Sequence, residues 1–112
     1  MKIAIPVSNG LLCMHFGHCE VFSVVDVSDS DKTVSGWEEL VPPPHEPGLL
    51  PKWLASKNVN MIVSGGMGQR AQDLFAQSGI KVITGAPSEK PEKIIEKVIN
   101  GTLVTGDNVC DH

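Results

Sequence analysis

The chain has no tyrosine, only two tryptophans and three phenylalanines, and fewer basic residues (9) than acidic ones (13). Its net charge is -4 with histidine neutral. Duplex binding calls for a basic face, and single-strand binding leans on aromatic platforms. Neither is here, so nucleic acid fits poorly as a partner. No apolar run approaches the roughly 18–20 residues a membrane helix requires, so no membrane role is expected. The opening Met1-Lys2-Ile3-Ala4-Ile5 breaks at Pro6, short of signal-peptide length and without a small-residue cleavage site. The expected compartment is the cytoplasm. Cysteine is scarce, at three. In that compartment three cysteines read as thiols or metal ligands rather than as a disulfide frame.

What is present suits one domain. The 112 residues are 41% hydrophobic and 20% charged, enough for one buried core and too little chain for two. Lys2 to Val7 reads as a buried first strand, followed by a loop. Val21 to Val27 and Thr33 to Leu40 read as a hairpin joined by a polar turn. Residues 41–51 hold five prolines, which cannot pair in a sheet, and form an extended loop. A helix follows from about Leu49 to Lys57, with Pro51 in its first turn. Asn60 to Ser64 is a fourth strand, Gln69 to Gln77 a helix, and Ile80 to Thr84 a fifth strand. Ser88 is the expected N-cap of a last helix that ends at Gly101. Residues 102–112 read as a loose tail. The domain spans 1–107, and 108–112 is a flexible segment bearing Cys110 and His112.

The order β-β-β-α-β-α-β-α implies an α/β fold. Its second half alternates strand and helix, which calls for parallel strands with right-handed crossovers. The expectation is a five-stranded mixed sheet with helices on both faces, a three-layer arrangement as in ribonuclease-H-like folds.

Chemistry concentrates in Cys13-Met14-His15-Phe16-Gly17-His18-Cys19. Four of the chain's seven Cys and His residues fall in that window. Thiolate and imidazole are the ligands of Zn, Cu(I), Fe and iron–sulfur centres. Gly17 lets the backbone turn so that side chains on either side converge. The same residues also suit a buried thiol or two beside solvated histidines. No Cys-x-x-Cys occurs, so the window is no standard zinc pattern. His45 in the proline loop, with Cys110 and His112 in the tail, are further candidate ligands.

The stretch Gly65-Gly66-Met67-Gly68-Gln69-Arg70-Ala71 follows a buried strand and opens a helix. Exposed N–H groups and the helix dipole there favour an anion, and Arg70 adds a fork of donors. It is no Walker A loop, because no Gly-Lys-Ser/Thr follows. In an open α/β sheet, ligands bind beyond the carboxyl ends of the parallel strands. Loops 8–19, 65–70 and 85–88 would meet there. Catalysis finds little support. The first strand carries no acid for a nuclease Mg²⁺ site. Cys and His crowded into one loop suit ligation better than an oriented nucleophile. No catalytic residue is assigned.

These motifs carry a family resemblance. Ile3-Ala4-Ile5-Pro6-Val7-Ser8, His15-Phe16-Gly17 before a strand, Ser64-Gly65-Gly66-Met67-Gly68-Gln69-Arg70-Ala71 and Gly79-Ile80-Lys81-Val82-Ile83-Thr84-Gly85-Ala86 resemble the dinitrogenase iron–molybdenum cofactor biosynthesis family. The resemblance covers Met1 to about Asp107. It implies a ribonuclease-H-like domain that binds a metal–sulfur cluster, of Mo/Fe or Mo/Cu type, without turnover. It also implies a cofactor-delivery or acceptor protein as partner. His15 and the glycine loop with Arg70 lie on the family's motif positions. Cys13, His18, Cys19, Cys110 and His112 are not general family features, and they make this chain rich in ligands.

The leading expectation is therefore a carrier of an anionic cluster, bound through His15, Gly66, Met67, Gly68, Gln69 and Arg70. Cys13, His18, Cys19, His45, Cys110 and His112 join His15 as metal ligands. The alternative is a protein that binds a single Zn, Cu or Fe ion through its Cys/His loop. The oligomeric state is not legible.

Overall fold

In the computed structural model, which describes residues 1–14, 19–43 and 48–106, strand β1 (Lys2–Ser8) lies at the centre of a mixed sheet. The other strands are β2 (Leu11–Leu12), β3 (Val21–Val27), β4 (Val34–Leu40), β5 (Met61–Val63) and β6 (Lys81–Ile83). Helices α1 (Leu49–Ser56), α2 (Gln69–Gln77) and α3 (Pro91–Asn100) complete the chain. The sheet order is β4-β3-β1-β5-β6, with β2 paired to β1. β1, β5 and β6 run parallel, and β3 runs against both β1 and β4.

The sheet thus has six strands, not five. The extra strand is β2, inside what the sequence reading left as loop. Asn9 and Gly10 both take positive φ (55° and 79°) and turn β1 straight into β2. An Asn-Gly pair is among the strongest hairpin signals, because both turn positions need that conformation.

The core has two halves, one on each sheet face. On one side Ile3, Ile5, Val7, Val25, Val27 and Val63 pack with Ile94 and Ile95 of α3. On the other, Ala4, Phe22, Val24 and Ile62 pack with Leu50 and Leu54 of α1 and Phe75 of α2. β1 is buried along five consecutive residues, as a strand covered on both faces should be. The β3–β4 hairpin forms as expected, with a bulge near Asp26 and Val27.

Pro6 sits inside this central strand although proline has no N–H to donate. The β5 ladder stops at Ala4. On that side Pro6 contributes only its carbonyl, which accepts from Cys13 N at 2.8 Å. The reciprocal bond from residue 6 to Cys13 is absent, and the β1–β2 pairing ends at Val7 and Leu12.

Two terminal details differ from the sequence reading. Lys90, not Ser88, is the N-cap of α3. The Ser88 hydroxyl instead donates to Leu12 O (3.0 Å). Residues 102–106 are no loose tail either: Thr102 N donates to Lys97 O, Gly106 N donates to Gly85 O, and Leu103 packs on the core. Among the described residues no helix is long and apolar enough to cross a membrane.

Candidate functional site

Three loops leave the carboxyl ends of the parallel strands β1, β5 and β6, and backbone hydrogen bonds join them. The first loop starts and finishes on the end of β1. Cys13 N donates to Pro6 O (2.8 Å) and Glu20 N to Val7 O (2.9 Å). Successive carbonyls of a strand point to opposite edges. Cys13 and Glu20 are therefore pinned on either side of β1, with Cys19 adjacent. Asn9 N donates to the Glu20 carboxylate (2.7 Å), which closes the base of the loop.

The second loop carries the glycines. Gly66 N donates to Met14 O at 2.5 Å. A Cβ on Gly65 would lie 2.8 Å from both Met14 Cα and Met14 O, and 3.0 Å from Cys13 O. Those are backbone atoms, which cannot rotate away. Glycine is thus required at 65 by close approach rather than by dihedral angle. The third loop follows β6: Gly85 N donates to Gly65 O (2.7 Å), and Ala86 N to Ser64 O (3.1 Å). Gly85 has φ +77°, and a Cβ there would collide with Gly106 O. Leu12 N donates to Glu89 O (2.9 Å) and ties the third loop back to the first.

The expected meeting of loops 8–19, 65–70 and 85–88 is therefore real, as far as the described residues go. Cys13 is 8% exposed and Cys19 partly exposed. Burial, and then the neighbouring Cys13, push the Cys19 thiol from 9.0 up to about 11. A nucleophilic cysteine needs its pKa lowered, so Cys19 is not activated for catalysis.

Gly66, Met67, Gly68, Gln69 and Arg70 surround the start of α2. The Gly66 N–H is committed to Met14 O, so it is not available to an anion. The Met67 side chain is buried in the core, and its carbonyl accepts from Gln72 Nε2 (2.9 Å). Gly68 is the N-cap, and the first turn of α2 holds no acid. Helix geometry leaves the N–H groups of that first turn without intrahelical partners. Gln69 and Arg70 are exposed, and the Gln69 amide donates to Asp73 (2.9 Å).

His15, His18, His45, Cys110 and His112 lie outside the described residues. Among the described residues no three His, Cys, Asp or Glu side chains come together in a metal-sized group. Sequence reasoning missed Ser64. Its hydroxyl is fully buried at the foot of the glycine loop and has no hydrogen-bond partner among the described residues. A serine closing an apolar strand just before Gly65-Gly66 was the available signal.

Two outcomes follow from this geometry. Gly65→Ala should lower stability by about 1–3 kcal/mol, as overpacking does, and should speed amide exchange at Gly66. Denaturant unfolding and hydrogen exchange read both effects. Alkylation of Cys19 in metal-free Cys13→Ser protein should keep rising above pH 9; a midpoint near 7 would contradict the desolvated thiol.

Comparison with known proteins agrees with this architecture. Residues 1–101 match the dinitrogenase iron-molybdenum cofactor family. The chain is 31% identical over 109 residues to the uncharacterized protein MJ0580 of Methanocaldococcus jannaschii, covering 92% of this chain and 89% of that one. The crystal structure of PH0822 superposes with a TM-score of 0.85 at 30% identity, covering 94% of each chain. The apo orange protein of Desulfovibrio gigas has the same fold, with a TM-score of 0.69 at 20% identity over 96% of this chain and 93% of that one. With its family matched over all but the last eleven residues, the chain belongs to the dinitrogenase iron-molybdenum cofactor family.

Proposed function

We propose that the protein binds, stores or delivers an anionic metal–sulfur cluster, without catalysing a reaction. The cluster is cargo, of Mo/Fe or Mo/Cu type. The observation that carries this reading is the joining of the Cys13–Cys19 loop to the start of α2 through Met14 and Gly66. Soft thiol ligands and an anion-favouring helix start then sit side by side.

The chemistry divides between the two. Sulfide-bridged clusters are net negative. The first-turn N–H groups of α2 and the Arg70 guanidinium offset that charge, with Gly68 as N-cap and Gln69 as first residue at that helix start. Gly66 and Met67 hold the loop in place. Cys13 and Cys19 supply thiolates once a metal displaces their protons; His15, His18 and His45 complete the proposed ligand set. Gly106 is hydrogen-bonded to Gly85, itself bonded to Gly65. Cys110 lies four residues on, a reach of at most about 14 Å, so it and His112 belong to the same proposed set. The buried Ser64 hydroxyl supports a polar interior beneath the loop.

The order β4-β3-β1-β5-β6, with β3 antiparallel, supports the ribonuclease-H-like assignment of the fold. The family supports a delivery or acceptor protein as partner, and the cytoplasm is the proposed compartment. A single Zn, Cu or Fe ion held by the two thiols and by histidines of the same sequence window is the competing reading, favoured by the proximity of Cys13 to Cys19.

Reconstitution separates the two. Apoprotein is loaded with tetrathiomolybdate and Cu(I), or with Zn²⁺ alone, and metal retained after gel filtration is counted. Under the proposal Arg70→Ala weakens thiomolybdate retention about tenfold, the scale of one charge-assisted hydrogen bond. Unchanged retention in Arg70→Ala, with all metal lost in Cys13→Ser or Cys19→Ser, would favour the single ion. If neither set of changes altered retention, both readings would fail.

A further inference from the structure

The sheet has one long open edge. β4 is a seven-residue strand at the end of the order, bonded to β3 on one side only among the described residues. Its exposure is unusual for its composition: Trp37 is 38% exposed and Val34 46%. On this face α3 packs against β1, β3 and β5 and leaves β4 uncovered. A groove of about 360 Å³ results, lined by Val34, Trp37, Ile95 and Ile99, with Glu92 and Glu96 among its walls.

Charge decides what fits. Glu92, Ile95, Glu96 and Ile99 fall on one stripe of α3 at helical spacing. The helix's lysines, Lys93 and Lys97, line no part of the groove, and Lys97 pairs with Glu89. Strand alternation puts Glu39 on the Trp37 face. The groove is therefore apolar at its floor and acidic at its rim. Neither Glu92 nor Glu96 has an ion pair among the described residues. A second copy would set this acidic patch against itself, in chains that each carry -4.

We propose that β4 and this groove are a docking site for an extended basic segment of a partner protein. The segment would add as a strand to the free edge of β4. Main-chain bonds to such an edge give affinity, and alternate side chains give specificity. An aliphatic or aromatic residue fills the groove beside Trp37, and Lys or Arg two residues to either side, on the same face of the added strand, meets Glu92 and Glu96. The site uses no residue of the cargo site, so it stands or falls separately from the cluster reading.

The probe is the synthetic peptide Lys-Thr-Lys-Thr-Leu-Thr-Lys-Thr-Lys, which as a strand carries its Leu and its lysines on one face, titrated into the full-length isotope-labelled protein and followed by amide shifts. An analogue with Glu in place of every Lys is the control. The expected shifts centre on β4 and α3, and the β4 amides gain exchange protection. Glu92→Lys combined with Glu96→Lys should weaken binding about tenfold, and Trp37→Ala should weaken it comparably. Equal binding of the Glu analogue would overturn the proposal, as would shifts that avoid β4, or no effect of the double charge reversal. Self-association of the peptide-free protein, abolished by Trp37→Ala, would replace the partner by a second copy. The two exposed glutamates carry little folding role, so the charge-reversal arm holds even where Trp37→Ala unfolds.

Discussion

The close approach of two backbones, Met14 against Gly65 and Gly66, is the constraint on which the rest of the site depends. It needs a residue without a side chain at 65, because any Cβ would meet fixed backbone atoms. The return is a short hydrogen bond from Gly66 to Met14 that locks the loop after β1 to the loop after β5. Gly85 then bonds to Gly65, and Gly106 to Gly85, so three bonds in series link four chain segments. Without it, the first and second loops would be joined only indirectly, through the third.

Much of this was legible before any coordinates. β-branched runs gave the main strands, and the switch from hairpin to strand–helix alternation gave the mixed sheet. The glycine run marked the second loop, because glycine clusters between a strand and a helix have few other uses. What was missed is local and has physical causes. The β2 strand is two residues long, too short for any periodicity to register, although Asn9-Gly10 announces its turn. Ser88 has the right identity for an N-cap, but a tertiary acceptor, Leu12 O, took its hydroxyl. Residues 102–106 look featureless because they are held by backbone bonds, which leave no mark on side-chain pattern. The Gly66 N–H read as an anion donor for the same reason: its partner, Met14 O, is remote in sequence. The histidines His15, His18, His45 and His112, and Cys110, fall outside the described residues; His15 is proposed from sequence and family motif, the others from sequence alone.

Family membership and local chemistry support each other here without being the same statement. The family speaks to a role connected with the iron–molybdenum cofactor. The residues speak to soft ligands beside an anion-favouring helix start. Burial holds the Cys19 thiol protonated, so it is no activated nucleophile, and any metal would have to displace that proton. The helices also leave the two ends of the sheet with different surfaces: stitched loops at the carboxyl edge, and an open, acid-rimmed strand at β4. Under the two proposals above, the first surface takes cargo and the second a partner.

The most direct measurement is elemental analysis, with an absorption spectrum, of untagged protein purified without oxygen from its own host. The account predicts molybdenum or iron, acid-labile sulfide and visible charge-transfer bands in the same fraction. One zinc per chain, with no sulfide and a featureless visible spectrum, would contradict it.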